Sequence, residues 1–325
     1  MRKKIIWITG ILFLLACQTL LPKESTTEKI PAPLSAPGTE SATRTAQTTK
    51  PATPTFSPTS TSTDSPTPTL VMIHQGPDAV TVPILLYHHI ESPRYSSEYY
   101  MPVEKFEEQM HLLHDWGYTT ITLDLLLKAI HEGADLPARP LLLTFDDGQP
   151  SVYDAAFPIM QKYGFTGIIY LVGSYLDAPT FMTTEQAKEL AQAGWEIGSH
   201  SMSHKDLTTL DPDQLMYEIF KSREVLSEKI GAPVNSFAYP FGFSNDYAFS
   251  LVHNAGYTSA VGVGYTYYQS EWNIFLLQRR DVRSSYDLKR FATFLPWQGD
   301  PAFLPTDTPT LIPTITKTPR PTKTK

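Results

Sequence analysis

Between about residues 71 and 304 the chain alternates short apolar runs with stretches in which apolar side chains recur every three or four positions. "TVPILLYHHI" (81–90) is rich in branched residues and reads as a strand. "VEKFEEQMHLLHDWGY" puts Phe106, Met110 and Leu113 on one helical face and breaks at Gly117. "TTITLDLLLKAIHEG" gives a short strand and then a helix, and "ARPLLLTFDDG" a buried strand followed by the helix of "SVYDAAFPIMQKYG". The alternation continues with a strand in "FTGIIYLVG", a helix through "TTEQAKELAQAG", a strand in "WEIGSHSMSH" and a long helix in "DPDQLMYEIFKSREVLSEKIG". "VNSFAYPFG", "YAFSLVHNAG" and "YTSAVGVG" add strand, helix and strand. Such a chain folds as an α/β protein around a parallel sheet, and the number of repeats favours a barrel over an open sheet. Active sites of these folds lie beyond the C-terminal ends of the strands. Polar groups gather at four such ends: Tyr87-His88-His89, Asp146-Asp147, His200 to His204, and "YPFG" at 239–242.

The two ends of the chain have a different character. Residues 1–17 combine Arg2, Lys3 and Lys4 with the apolar "IIWITGILFLLA", too short to span a bilayer comfortably, and read as an export signal. Leu14-Leu15-Ala16-Cys17 resembles the lipobox of bacterial lipoproteins, which implies lipid on Cys17 and a membrane-anchored protein working outside the cytoplasm, at the cell surface. Residues 18–75 are dominated by Pro, Thr and Ser, as are residues 305–325 with their extra basic groups. Such segments lack the apolar content to offset chain ordering, so both are expected to be disordered, the first as a tether. Residues 76–304 remain as one folded domain. Cys17 is the only cysteine, which excludes an internal disulfide, a thiolate nucleophile and a cysteine-based metal site within that domain. The formal charge of −7 over 325 residues argues against nucleic acid as a partner, and nothing in the sequence marks an obligate protein partner.

The candidate chemistry lies in "TFDDG" and "HSMSH". Two histidines four apart suit one face of a helix or a tight loop, and neutral imidazole is a common zinc ligand. Ser201 stands where the His-Glu-x-x-His metalloproteases place their glutamate base, so that protease reading lacks its base. A cation held by two imidazoles needs a third ligand, and a carboxylate after a neighbouring strand supplies one. If Asp147 is that ligand, the cation neutralises its charge and Asp146 stays ionised beside it as a general base. Adjacent strand residues face opposite ways, but a strand end need not keep that alternation, and Gly148 lets the backbone turn sharply.

"TFDDG", "HSMSH" and "FAYPFG", in this order and separation, resemble the polysaccharide deacetylases of the NodB-homology type, carbohydrate esterase family 4. "FEEQMHLLHDWGYTTITLDLLLKAI" and "LPARPLLLTFDDG" resemble the subgroup containing poly-N-acetylglucosamine deacetylases. The resemblance implies a deformed (β/α) barrel carrying one divalent metal, usually Zn2+. It implies Asp146 as base, Asp147, His200 and His204 as metal ligands, and Ser201 as a brace for the histidine loop. Tyr239, Pro240 and Phe241 would wall the substrate cleft, with the Phe241 backbone N–H on the oxyanion. The general-acid histidine of the subgroup comes early, as if the barrel were circularly permuted; Leu86-Tyr87-His88 fits that pattern, and His88 is chosen over His89. Two departures stand out. The arginine that opens the third motif is Ala238 here, and Arg279 in "LLQRRDV" either replaces its charge or forms a structural ion pair. The motif tryptophan of the acetate pocket has no counterpart, and Trp272 and Trp297 are expected to pack in the core or a groove.

These roles imply a hydrolase that removes acetyl groups from the N-acetylglucosamine units of a cell-surface or extracellular polysaccharide. Peptidoglycan, a β-1,6-linked glucosaminoglycan and chitin-like oligomers all fit. Tyr265, Tyr267 and Tyr268 join Tyr239 and Phe241 as aromatics able to stack on sugar rings. The alternative is a non-catalytic carbohydrate-binding module on the same fold.

Overall fold

The computed structural model describes residues 70–92 and 97–304. The lipobox Cys17 with its signal segment, nearly all of the tether and the 305–325 tail lie outside the described residues.

Seven parallel strands close into a barrel: β1 Ile84–Tyr87, β2 Pro140–Phe145, β3 Ile168–Leu171, β4 Glu196–Ser199, β5 Ser236–Ala238, β6 Ser259–Val263 and β7 Leu277–Asp281. Each strand pairs with its neighbours in sequence, and β1 closes the ring between β2 and β7. Its register is set on both sides, Ile84 against Leu142 and Tyr87 against Phe145, Leu85 against Arg280 and Leu86 against Asp281. Closure removes both edges. A short strand, Thr119–Thr120, pairs with the start of β2. The strand Met72–Gln75, ahead of the expected domain start at 76, pairs antiparallel with Ala134–Pro137.

The period-2 alternation of the strands sorts their side chains into two layers. Ile84, Leu142, Ile168, Tyr170, Ala238, Val261 and Leu277 pack together inside the barrel, closed off below by Val80, Val82 and the Leu123–Glu132 helix. Tyr87, Leu141, Leu143, Phe145, Ile169, Leu171, Phe237 and Tyr239 point outward into a second apolar layer beneath the surrounding helices. Every residue of β2 is therefore buried, on one face or the other.

Helices start where the sequence offers caps. Thr122 accepts from Leu125 N, and Thr183 with Gln186 forms a reciprocal capping box for Thr184–Gln192. The long helix expected over "DPDQLMYEIFKSREVLSEKIG" runs as Pro212–Met216, a wider π turn at Tyr217–Lys221, and Ser222–Ile230, ended by Gly231 in the left-handed region. The wide turn carries Glu218, only 1% exposed. The run "TVPILLYHHI" is also broken up: Thr81 ends the strand Ala79–Thr81, Ile84–Tyr87 is β1, and after a break at His88 the pair His89–Ile90 joins Tyr100–Met101.

Inside the barrel there is no spare room at Gly198, where a Cβ would lie 2.3 Å from Tyr170 Cδ1 and 2.9 Å from Ser236 Oγ. Gly198→Ala is expected to lower stability by about 1–3 kcal/mol through overpacking, read as a reduced midpoint in urea unfolding.

Candidate active site

The inward-facing rows lead directly to the cleft. Continuing β2 past Leu142 and Thr144, the next inward position is Asp146; continuing β1 past Ile84 and Leu86, it is His88; on β4, Gly198 is followed by His200. These three side chains, with Asp147, His204 and Arg279, line one cleft of about 320 Å³. Alternation alone would send Asp147 to the opposite face. It does not, because Asp147 has φ +72° and Gly148 φ +73°, and this left-handed turn brings the second carboxylate back over the barrel mouth.

Arg279, the inward residue of β7, decides the electrostatics. Its Nη1 and Nη2 each donate at 2.7 Å to one oxygen of Asp146, and its Nε donates to Gly262 O at 3.0 Å. The guanidinium is fully buried and lies 5.3 Å from the Tyr170 ring centroid. Burial would raise the Asp146 carboxyl, but Arg279 and then His200 override it and hold it at about 2. Asp147 behaves oppositely: burial pushes it up against the pull of His200, and the Asp146 charge adds to the rise. Arg279 therefore supplies the charge missing at Ala238, from a different strand.

His200 Nδ1 lies 2.8 Å from Ala238 O. A carbonyl only accepts, so Nδ1 carries the proton and Nε2 presents its lone pair to the cleft. That Nε2 lies 3.6 Å from Asp147 Oδ1, and His204 Nε2 lies 3.4 Å from the same oxygen. Burial lowers both imidazoles, favouring the neutral form a metal requires. Ligand atoms of Asp147, His200 and His204 all fall within 4.8 Å of one another, and among the described residues this is the one such group. Two neutral nitrogens and a carboxylate oxygen, with one side open to the cleft, suit a divalent cation of the zinc type. Ser201 braces their loop, its Oγ accepting from His204 N at 2.9 Å.

His88 and His89 separate by the same alternation. The His88 ring lies 4.6 Å from that of Tyr99 at the cleft, and its Nδ1 is buried without a hydrogen-bond partner among the described residues. Burial lowers it to about 4, although the Asp146 charge pulls the other way. His89 stacks on Tyr100 with ring centroids 4.0 Å apart and meets Glu91 at 3.2 Å.

Three expectations need correction. Tyr239 does not wall the cleft: it is an outward position of β5's continuation and is fully buried against Phe237 and Phe249. Pro240 is buried too, opening the turn that ends at Gly242; only Phe241, at φ +60° and 56% exposed, reaches the cleft, its ring 4.6 Å from that of His204. Trp272 is 98% exposed on the short Glu271–Asn273 turn, neither in the core nor in the cleft, whereas Trp297 packs beside Tyr118 as expected.

Sequence reasoning passed over Asp281, Arg283 and Glu98, which form a chain of ion pairs at the cleft rim, with Arg283 Nε 2.9 Å from Asp281 and Nη1 2.8 Å from Glu98. Charges this far apart in the chain leave no periodic signal. Glu218 was also missed, although it falls three residues after Leu215 and one before Ile219, within the buried stripe of its helix.

Arg279→Met would leave Asp146 buried without its partner, at an expected cost of about 3–5 kcal/mol. Because the folded value of Asp146 is depressed, the pair's contribution is complete above its ordinary value of 3.8 and is lost as pH falls toward about 2. Urea unfolding of both proteins from pH 2 to 7 should show their stability gap closing over that window.

The family model for polysaccharide deacetylase matches residues 133–260. YxkH of Bacillus subtilis (strain 168), named as a polysaccharide deacetylase, is 32% identical over 180 residues; the match covers 55% of this chain and 63% of that protein's length. The poly-β-1,6-N-acetyl-D-glucosamine N-deacetylase of Staphylococcus aureus (strain MRSA252) is 23% identical over 185 residues, 52% of this chain and 63% of its own. Among solved structures, a polysaccharide deacetylase of Bacillus cereus superposes with TM-score 0.60 at 25% identity, covering 66% of this chain and 69% of that one. A Streptococcus pyogenes deacetylase in complex with acetate shares the fold, with TM-score 0.60 at 22% identity over 66% of this chain and 98% of its own. Residues 133–260 thus match the polysaccharide deacetylase family model, and the barrel they help to build is shared with solved deacetylase structures.

Proposed function

We propose that the protein is a metal-dependent N-deacetylase that releases acetate from N-acetylglucosamine units of an extracytoplasmic polysaccharide. The observation that carries this reading is an ionised carboxylate, Asp146, fixed by Arg279 beside the three-ligand group of Asp147, His200 and His204 yet not a member of it. A structural metal site has no use for such a neighbour, whereas hydrolysis needs a base there.

Asp147, His200 and His204 would hold the cation, with Zn2+ favoured by the nitrogen-rich donor set. A bound cation supplies polarisation of the acetyl carbonyl and acidification of water. Asp146 accepts the proton of the attacking water as its oxygen bonds to the acyl carbon. The Phe241 backbone N–H is assigned to the oxygen that gains negative charge. The C–N bond then breaks, and the departing nitrogen must gain a proton. His88 is the group assigned to deliver it. Held neutral at rest by burial, it receives a proton during the reaction, and Asp146, whose charge acts on it, is assigned as the source. Water is split between acetate and the freed amine, and no covalent intermediate is required.

A polymeric substrate is supported by the names of the relatives that act on poly-β-1,6-N-acetyl-D-glucosamine and by the cleft's surroundings. Phe241 and Phe243 are 56% and 55% exposed, with ring centroids 6.1 Å apart, an apolar shelf beside the cation ligands on which further sugar rings can stack. A tether at residues 18–75 with lipid on Cys17 would hold the domain at the cell surface; that part of the proposal rests on the sequence alone.

Acetate release from β-1,6-linked, β-1,4-linked and peptidoglycan substrates with added zinc or cobalt tests the assignment. Asp146→Asn should lower kcat/KM by about 10²–10⁴-fold while zinc binding persists. Bound metal with no acetate from any glycan would instead establish a carbohydrate-binding module. Phe243→Ala should raise KM for long oligomers by about 2- to 10-fold, the value of one lost ring contact, and leave single-sugar substrates unaffected.

A further inference from the structure

The loop from His200 to His204 is held in an unfavourable shape. Ser201 and His204 both adopt left-handed backbone conformations, φ +65° and +56°, which non-glycine residues keep only where their surroundings over-determine them. Ser201 O and Met202 O accept from Gly173 N and Ser174 N at 3.0 and 2.8 Å, fixing one side of the loop to the exit of β3. The other side is fixed by Glu218. One of its carboxylate oxygens accepts from Ser203 N at 2.7 Å, and the other from the Ser203 hydroxyl.

Glu218 is 1% exposed, and its one cationic neighbour among the described residues, the half-exposed Lys205, stays 3.8 Å away. A buried carboxylate so weakly paired is costly, and a neutral glutamine could make the same bond to Ser203 N. The surrounding charges give a reason for the acid. Arg279 already cancels Asp146, and a divalent cation on Asp147 and two neutral imidazoles would add one positive charge at the barrel mouth, where the Asp281–Arg283–Glu98 chain carries one net negative charge on the solvent side. Glu218 is a buried acid on the protein side of the ligand loop, with the half-exposed Lys205 at its edge, and its charge is placed to offset the cation from behind.

We propose that Glu218 is a positioning residue for the cation site, bracing Ser203 between the two histidines and supplying the negative charge that offsets a bound divalent ion. This rests on Asp147, His200 and His204 being the ligands. The role separates from ordinary structural support, because a structural residue is missed by the metal-free fold, whereas a charge placed for a cation burdens that fold and is missed only when metal binds.

Zinc titration against a competing indicator, with urea unfolding of the metal-free proteins, tests it on wild type and Glu218→Gln. Weakening of zinc by about 10- to 100-fold, with metal-free stability equal to or above wild type, is the expected result. Equal zinc affinity in both proteins, or a loss of metal-free stability with no change in affinity, overturns the role of Glu218 while leaving the ligand set standing. Zinc failing to bind wild type overturns both. Should Glu218→Gln not fold, Ser203→Ala carries the test: loss of one hydrogen bond is expected to weaken zinc by about 2- to 10-fold, and unchanged affinity refutes the bracing.

Discussion

The buried ion pair between Arg279 and Asp146 is the interaction on which the rest of the site depends. Two adjacent carboxylates at the mouth of an apolar barrel face both desolvation and mutual repulsion, and both effects favour taking up a proton. A bidentate guanidinium, enclosed by Gly262 O and the Tyr170 ring, reverses this for Asp146 alone. The two acids are thereby pushed in opposite directions, one held ionised and one left to find its own neutralising partner. Such divergence between neighbouring titratable groups is how one cleft assigns different tasks to the same residue type. The small side chain of Ala238 leaves the interior to Arg279, and the Ala238 carbonyl fixes the His200 tautomer.

Geometry follows the charge. Asp147, Gly148, Ser201, His204 and Phe241 all have positive φ, and they sit at the exits of three different strands. Straight continuation of β2 would send Asp147 to the helical layer, and straight continuation of β4 would carry His204 about 13 Å beyond His200, so neither could join its partner. The left-handed turns at these exits bring Asp147, His204 and Phe241 back over the barrel mouth. The strain is held by local bonds, Ser201 Oγ to His204 N in one loop and Gly148 O to Met182 N in the other.

Much of this was legible in the chain itself. Apolar runs bounded by turn residues marked six of the seven barrel strands, β7 being the exception, and the four polar strand ends did meet. The choice of His88 over His89 agrees with the alternation along β1, in which Leu86 faces in and Tyr87 out. The same rule applied to β5 would have placed Tyr239 in the outer layer, since Ala238 faces in; its aromatic character drew attention to the wrong face. Arg279 could be named but not assigned, because a strand arginine is equally compatible with a surface pair until the barrel is known to close. Glu218 was hidden differently. An acid within an apolar helical stripe reads as an interruption of the pattern, and only the loop it supports, in space but not in sequence, gives it a purpose.

The order of the strands adds a constraint that no local motif contains. β1 comes first in the chain, but its partners are β2 and β7, so the ring closes only when the first and last strands meet. His88 follows β1 directly and Arg279 lies on β7. An unclosed barrel would leave Arg279 beside an exposed edge, and Asp146 would face water instead of a dry guanidinium. His88, Asp146 and the guanidinium that holds Asp146 ionised are thus brought to one cleft through one long-range pairing. Because such pairings must overcome the largest loop-closure entropy, they form cooperatively with the core rather than before it. The functional groups consequently share the fate of the whole fold: a partly assembled barrel retains the carboxylates and histidines but not the electrostatic environment that distinguishes them.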